Sequence, residues 1–204
     1  MKHEVAAVML AAASLMSAAS VAQDAAAAKT RARGGVALQL DVSSGGDEIT
    51  SGSNYPPHAA HAILGEGMTL SVGGFYRPSE SKPWELLAFV GYKGGWFLPV
   101  RGGGYESDVT RWVFQLLANY RLDNKWYFGG GLVLHGNPKY EDTAPGVADV
   151  HFDNAVGAMV EGGWSWVGVQ CTYMEYSAAG YGSLDASNCG VRFTWRFRKW
   201  RPLR

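Results

Sequence analysis

Ala186-Ser187-Asn188-Cys189-Gly190-Val191-Arg192-Phe193-Thr194-Trp195-Arg196-Phe197 alternates without a break. Side chains along a strand point to opposite faces in turn. Cys189, Val191, Phe193, Trp195 and Phe197 therefore share one face, and Asn188, Gly190, Arg192, Thr194 and Arg196 share the other. A soluble sandwich would bury the first face in a core and turn the second to water. A barrel in lipid does the reverse, with the apolar face outside and the charges in the lumen. The arginine-rich, glycine-containing polar face favours the second arrangement.

Working back from this stretch, seven more segments of roughly ten residues carry a similar dyad. In 34–43, Val36, Leu38, Leu40 and Val42 oppose Ala37, Gln39, Asp41 and Ser43. In 67–77, Met68, Leu70, Val72 and Tyr76 oppose Thr69, Ser71 and Arg77. In 84–97, Leu86, Ala88, Val90 and Tyr92 oppose Glu85 and Lys93, although Leu87 and Phe89 blur the pattern. In 110–122, Trp112, Phe114, Leu116, Ala118 and Tyr120 oppose Arg111, Gln115, Asn119 and Arg121. Segment 126–135 puts Phe128, Leu132 and Leu134 outside. Segment 151–162 sets Val156, Ala158 and Val160 against Met159 and Glu161, and 165–176 sets Val167, Val169, Cys171 and Tyr173 against Gln170 and Thr172.

The punctuation fits a membrane barrel. The connections at 78–83, 123–125 and 162–164 are short, and the others are mostly longer, as with periplasmic turns and outer loops. Trp84, Tyr120, Trp126, Trp164, Trp166 and Trp195 gather near the short turns; Tyr92, Trp96, Phe152 and Tyr173 lie toward the long loops, so two interfacial girdles are expected. Each proline from Pro56 to Pro145 is expected at or beyond a strand end, because lipid supplies no water to satisfy a broken ladder. The fold expected is all-β, an eight-stranded antiparallel transmembrane barrel over 34–197. Side chains can fill a lumen of that size, so a packed polar interior is expected rather than a wide pore.

Composition agrees. Lys+Arg and Asp+Glu balance at 18 each, which leaves no global field for nucleic acid. Charged residues are only 18%, aromatics reach 13%, and there are 27 glycines in 204 residues. At the N-terminus, Lys2 and His3 precede an apolar run over 5–19, and Ser20-Val21-Ala22 follows with small residues where a signal peptidase reads. Residues 1–22 are expected to be a signal peptide, 23–33 a loose leader and 198–204 a basic tail. Export would put the chain in the outer membrane. No later segment approaches 18 uninterrupted apolar residues, the length of a spanning helix.

A resemblance follows from the last third. Asp153-Asn154-Ala155-Val156-Gly157, Val169-Gln170-Cys171-Thr172-Tyr173-Met174-Glu175-Tyr176 and 184–197 resemble the small eight-stranded outer-membrane barrels of the OmpA/OmpX type. The closing aromatics resemble that family's C-terminal assembly signal, except that Arg198-Lys199-Trp200-Arg201-Pro202-Leu203-Arg204 follows the terminal Phe197. The resemblance implies outer-membrane lipid and lipopolysaccharide as surroundings, the barrel-assembly machinery as a partner during insertion, and a monomer.

Candidate chemistry is sparse. His151 with Asp153-Asn154 is similar to the His-x-Ser-Asn motif of outer-membrane lipid A deacylases, but Asp153 stands where the nucleophilic serine is needed. His58 and His61 near Asp47 and Glu48 fall short of the converging ligands a metal site requires. Asp185, Ser187 and His135 form no ordered triad. Gly102-Gly103-Gly104 and Gly129-Gly130-Gly131 open no helix and precede no Lys-Ser/Thr, so they are not phosphate loops. No catalytic residue, metal or cofactor is assigned. The leading expectation is a structural or surface-interaction barrel. A lipid-modifying enzyme and a narrow, porin-like solute channel are the alternatives.

Two residue sets are singled out. Glu85, Lys93, Arg111, Arg121, Glu161, Arg192 and Arg196 lie on polar phases and are expected to meet in a lumen network. Cys171 and Cys189 are opposite each other if their hairpin centres on Gly180, each nine residues away, and can then form a disulfide. A one-residue shift would separate them. Two free thiols facing lipid are the alternative.

Overall fold

The computed structural model describes residues 33–50, 61–78, 82–94, 107–122, 124–142, 149–180 and 182–198. Its strands are β1 (Arg33–Ser44), β2 (Glu48–Thr50), β3 (His61–Ile63), β4 (Gly67–Arg77), β5 (Trp84–Gly94), β6 (Ser107–Arg121), β7 (Trp126–Asp142), β8 (Val150–His151), β9 (Ala155–Trp164), β10 (Val167–Tyr173), β11 (Glu175–Ala178), β12 (Gly182–Asp185) and β13 (Asn188–Arg198). Eight of them run β6-β5-β4-β1-β13-β10-β9-β7, and β7 pairs back onto β6. The fold is a closed eight-stranded antiparallel barrel. Closure removes both sheet edges, which an open sheet would leave unpaired. β8 adds to β7, while β2–β3 and β11–β12 are small two-stranded ribbons.

The dyads set the faces. Leu70, Val72, Leu116, Leu132, Val156, Val160 and Val169 are exposed on the outer surface, although each is aliphatic. Gln39, Asp41, Glu85, Lys93, Arg111, Asn119, Glu161 and Arg192 are buried inside. Trp84, Trp126, Trp164, Trp166, Trp195 and Phe197 are exposed near the short connections, and Trp112 and Tyr173 toward the other end. On β13 and its neighbour the aromatics form a ladder, with Trp166 5.7 Å from Phe193 and 6.3 Å from Trp195 between ring centroids.

Four expectations change. The lumen is not uniformly polar: Leu87, Phe89, Val113, Leu117, Val133 and Met159 are buried on the inward phase, so the residues that blurred the alternation are interior packing. Phe152 does not join a girdle; it is buried, with its ring 5.4 Å from that of Tyr176. Strand β7 continues past His135 to Asp142 and carries Pro138 within it. Its register against β6 shifts between Thr110 and Trp112, with Thr110 opposite Lys139 and Trp112 opposite Gly136. Asn137 and Pro138 thus face Arg111 alone. A bulge of this kind tolerates a residue without an N–H, and Asn137 turns to φ 50 there. Finally, two expected segments are split: 151–162 into β8 and β9, and 165–176 into β10 and the start of β11. Residues 95–97 of the third expected segment, including Trp96, lie outside the described residues, as do 1–32 and 199–204.

Candidate functional site: the lumen

The inward phases of eight strands meet along one axis and form three groups of polar residues. At the short-turn end, Glu85 on β5 is completely buried. It accepts from Arg77 at 3.0 Å and Arg121 at 3.2 Å, and Arg196 lies in ion-pair contact at 3.1 Å. These arginines come from the ends of β4, β6 and β13. Tyr127, the second residue of β7, lies beside them, 5.5 Å from the Arg121 guanidinium and 5.9 Å from that of Arg196.

The central group is built on Arg192. Register places Asp41 of β1 directly opposite it. Arg192 Nε donates to Asp41 Oδ1 at 2.7 Å, and Nη2 reaches Asp41 Oδ2 at 3.3 Å and Gln115 Oε1 at 3.2 Å. Nη1 donates to Glu161 Oε2. Both carboxylates have a second donor: Gln39 Nε2 to Asp41 at 2.8 Å, and Asn119 Nδ2 to Glu161. Two carboxylates thus share one guanidinium, and amides occupy the remaining lone pairs, as a buried charge requires. Gly129 faces inward between Asn119 and Glu161, its register partners on either side. A Cβ there would come within 2.0 Å of Asn119 Oδ1.

The third group closes the long-loop end. Residues 61–67 fold over the mouth, with Leu64 and Gly65 buried. Lys93 Nζ donates to Ser43 Oγ at 2.6 Å and to the Gly65 carbonyl at 2.7 Å. Arg111 donates to the Glu66 carbonyl at 3.3 Å and lies 5.9 Å from the Tyr176 ring. The Tyr176 hydroxyl meets His135 Nδ1. Leu64, Val109, Tyr140, Phe152, Met174 and Tyr176 are buried in an apolar cluster at this end. Between the cap and Arg192 there is a small polar void, lined by Asp41, Lys93, His135, Gln170 and Asn188 among others.

All seven lumen residues singled out from the sequence point inward, but they divide among the three groups. Glu85, Arg121 and Arg196 meet at one end, Glu161 and Arg192 at the centre, and Lys93 and Arg111 under the cap, where the bonds run to a hydroxyl and to carbonyls. Asp41, Arg77, Gln39, Gln115 and Asn119 complete the groups and were not singled out, although each sits on the polar phase of its segment. The hairpin β10–β13 centres on Gly180: Cys171 pairs with Cys189, and Glu175 with Asp185 farther along. The two cysteines are joined by a disulfide, with Cα atoms 4.1 Å apart. Gly180 and Gly182 take φ 87 and 72 in the turn, which side-chain-bearing residues rarely adopt.

The residues weighed for catalysis do not converge. His151 is exposed on β8 opposite Lys139, while Glu161 is held by Arg192. His135 is engaged by Tyr176, and Asp185 accepts from the Ser187 backbone at 2.9 Å. His58 and Gly102-Gly103-Gly104 lie outside the described residues, and among those residues no three His, Cys, Asp or Glu side chains gather as metal ligands do.

No protein-family model matches this sequence, and no curated protein does. Solved structures align over most of the chain. The crystal structure of Ail, the attachment invasion locus protein of Yersinia pestis, gives a TM-score of 0.43 at 9% identity, covering 81% of this chain and 99% of Ail. Ail in complex with the heparin analogue sucrose octasulfate gives 0.38 at 10% identity, covering 81% and 99%. The Ail backbone structure in a phospholipid bilayer nanodisc gives 0.33 at 11% identity, covering 79% and 99%. At such identities no activity passes from Ail to this chain.

Proposed function

We propose that this chain is an exported outer-membrane barrel with a closed lumen and a structural or surface-interaction role. One observation carries the reading: a ring of exposed aliphatic side chains surrounds an interior in which Asp41, Glu85, Lys93, Arg111, Glu161 and Arg192 are buried. Leu70 and Val156 are each 65% exposed, whereas Arg192 is 1% exposed. In water this would be inside out. In a bilayer it is the low-energy arrangement, since Arg or Lys facing lipid at mid-depth costs ~2–4 kcal/mol. The tryptophans near the short turns suit headgroup depth. The short connections then lie on the periplasmic side, and the long loops face lipopolysaccharide and the exterior. The closed interior argues against a porin-like channel, because the Arg192 group, the apolar layer and the Leu64 cap each cross the lumen.

The first test is mobility of the native outer-membrane fraction on SDS gels with and without boiling; a band that shifts only on heating is expected. In planar bilayers the purified chain is expected to give no lasting conductance steps, and steady porin-sized steps would refute the closed lumen. Incubation with lipid A is expected to release no fatty acid. Release by the wild type that His151→Ala abolishes would establish the enzymatic alternative instead.

A further inference from the structure

We propose that the short-turn mouth of the barrel is an anion site that takes a phosphate group between Arg77, Arg121 and Arg196. Three guanidiniums converge on the single carboxylate of Glu85, at 3.0, 3.2 and 3.1 Å. Among the described residues no other carboxylate pairs with any of the three. The cluster therefore carries three positive charges against one negative, a surplus of two. Among the described residues the neighbouring central group offsets part of it, since Arg192 faces both Asp41 and Glu161. In sequence the adjoining connections hold equal numbers of acids and bases, Glu80 and Asp123 with Lys82 and Lys125. The lumen as a whole also has more cations than carboxylates: six cations (Arg77, Lys93, Arg111, Arg121, Arg192, Arg196) against Asp41, Glu85 and Glu161, with Glu66 of the cap a fourth carboxylate near Lys93. The carboxylates that balance the chain overall lie elsewhere, on surfaces such as Glu141, Asp149, Glu175 and Asp185.

The chemistry of the donors fits a tetrahedral oxyanion. Guanidiniums present planar forks that bind phosphate oxygens two at a time. The Tyr127 ring lies beside Arg121 and Arg196, within cation–π distance of both guanidiniums. The Nε atoms of Arg77 and Arg196 are buried with no partner, so the protein does not satisfy these side chains. All three side chains remain partly open at the mouth, 15–23% exposed. A bound dianion would neutralise the surplus of two. Its source is either a lipid phosphomonoester headgroup or free phosphate.

The test uses the full mature chain in an uncharged detergent. Inorganic phosphate is titrated at constant ionic strength against chloride, and the heat-modification midpoint is read. A saturable rise is expected in the wild type. Arg77→Gln with Arg196→Gln is expected to bind about tenfold more weakly or worse. Arg77→Lys keeps the charge and loses the fork, so it provides a foldable variant with a weaker response. Glu85→Gln raises the surplus to three; it is expected to be less stable in chloride and to gain more from phosphate than the wild type does. A purely structural ion pair would lose stability without that recovery. A second arm compares phosphatidylcholine vesicles with and without phosphatidic acid: a rise only with the acidic lipid assigns the headgroup, and a rise with soluble phosphate assigns the free anion. If neither arm shifts the wild type beyond chloride, or if Arg77→Lys and Glu85→Gln both respond as the wild type does, the site does not exist.

Discussion

Replacing Arg192 by Met tests the centre of the lumen. The side chain is 1% exposed and ties Asp41 of β1 to Glu161 of β9 through β13. Its loss leaves two carboxylates, 2% and 7% exposed as residues, without a cation. Breaking one buried pair in this way costs ~3–5 kcal/mol. Two pairs are broken here, but the cost does not double. Gln39 still donates to Asp41 and Asn119 to Glu161, so neither carboxylate loses every partner. The expected loss is therefore about 3–5 kcal/mol. Urea unfolding in detergent micelles, followed by tryptophan fluorescence, measures it. The triple variant Asp41→Asn, Glu161→Gln, Arg192→Met keeps the shapes and removes all three charges, and is expected to recover part of the loss. A single variant within about 1 kcal/mol of wild type would refute the buried-pair reasoning. A triple variant no more stable than the single one would shift the cause from unpaired charge to lost packing.

Alkylation of unreduced, denatured protein is expected to add no label at Cys171 or Cys189, and two after reduction; two labels without reductant would rule the bond out. Because the bond closes a loop of only 18 residues' separation, the Cys171→Ser, Cys189→Ser barrel is expected to fold and lose at most ~3 kcal/mol. Gly129→Val is expected to destabilise by ~1–3 kcal/mol through overpacking against Asn119, and an unchanged urea midpoint would show that the inner wall yields there. On intact cells, protease is expected to cut within 51–60 or 143–148. Cuts at 78–83 or 123–125 would invert the proposed orientation.

The faces were legible because a barrel wall is one residue thick and every position looks either out or in. Val191, Phe193 and Trp195 against Arg192, Thr194 and Arg196 settle the matter on one strand, and the same dyad recurs seven times. Alternation does not reveal how the interior is layered. Leu87, Phe89, Val113, Leu117 and Val133 occupy the inward phase because a narrow lumen is filled like a core, and a filled core accepts apolar layers between polar ones. The cap at Leu64 was hidden for another reason. It belongs to a connection, where no period applies, and its burial depends on Lys93 and Arg111 from strands distant in sequence. Pro138 misled because the strand-end rule for proline has a bulge exception, and only the shifted β6–β7 register exposes it. Asp41 and Arg77 were readable as polar-phase charges, but partnership across the barrel is a matter of register, which the pattern of one strand does not contain.

Register also explains the glycine content. A lumen enclosed by eight strands is too narrow for long side chains at every inward position, so each large residue needs an empty place beside it. Arg192 has Asp41 opposite on one side and Gly168 on the other. Glu161 has Gln170 on one side and Gly129 on the other. Phe89 lies opposite Gly73, where an added Cβ would come within 2.6 Å of the ring. Tyr127 reaches across Gly163 to Gly168, where a Cβ would come within 2.4 Å of its hydroxyl. The glycines are the complement of the arginines and aromatics. A barrel packed in this way holds its polar groups in fixed pairs along its length. Its capacity to meet other molecules is then concentrated at the two ends: the capped mouth with its long loops, and the arginine-rich mouth where three cations share one carboxylate.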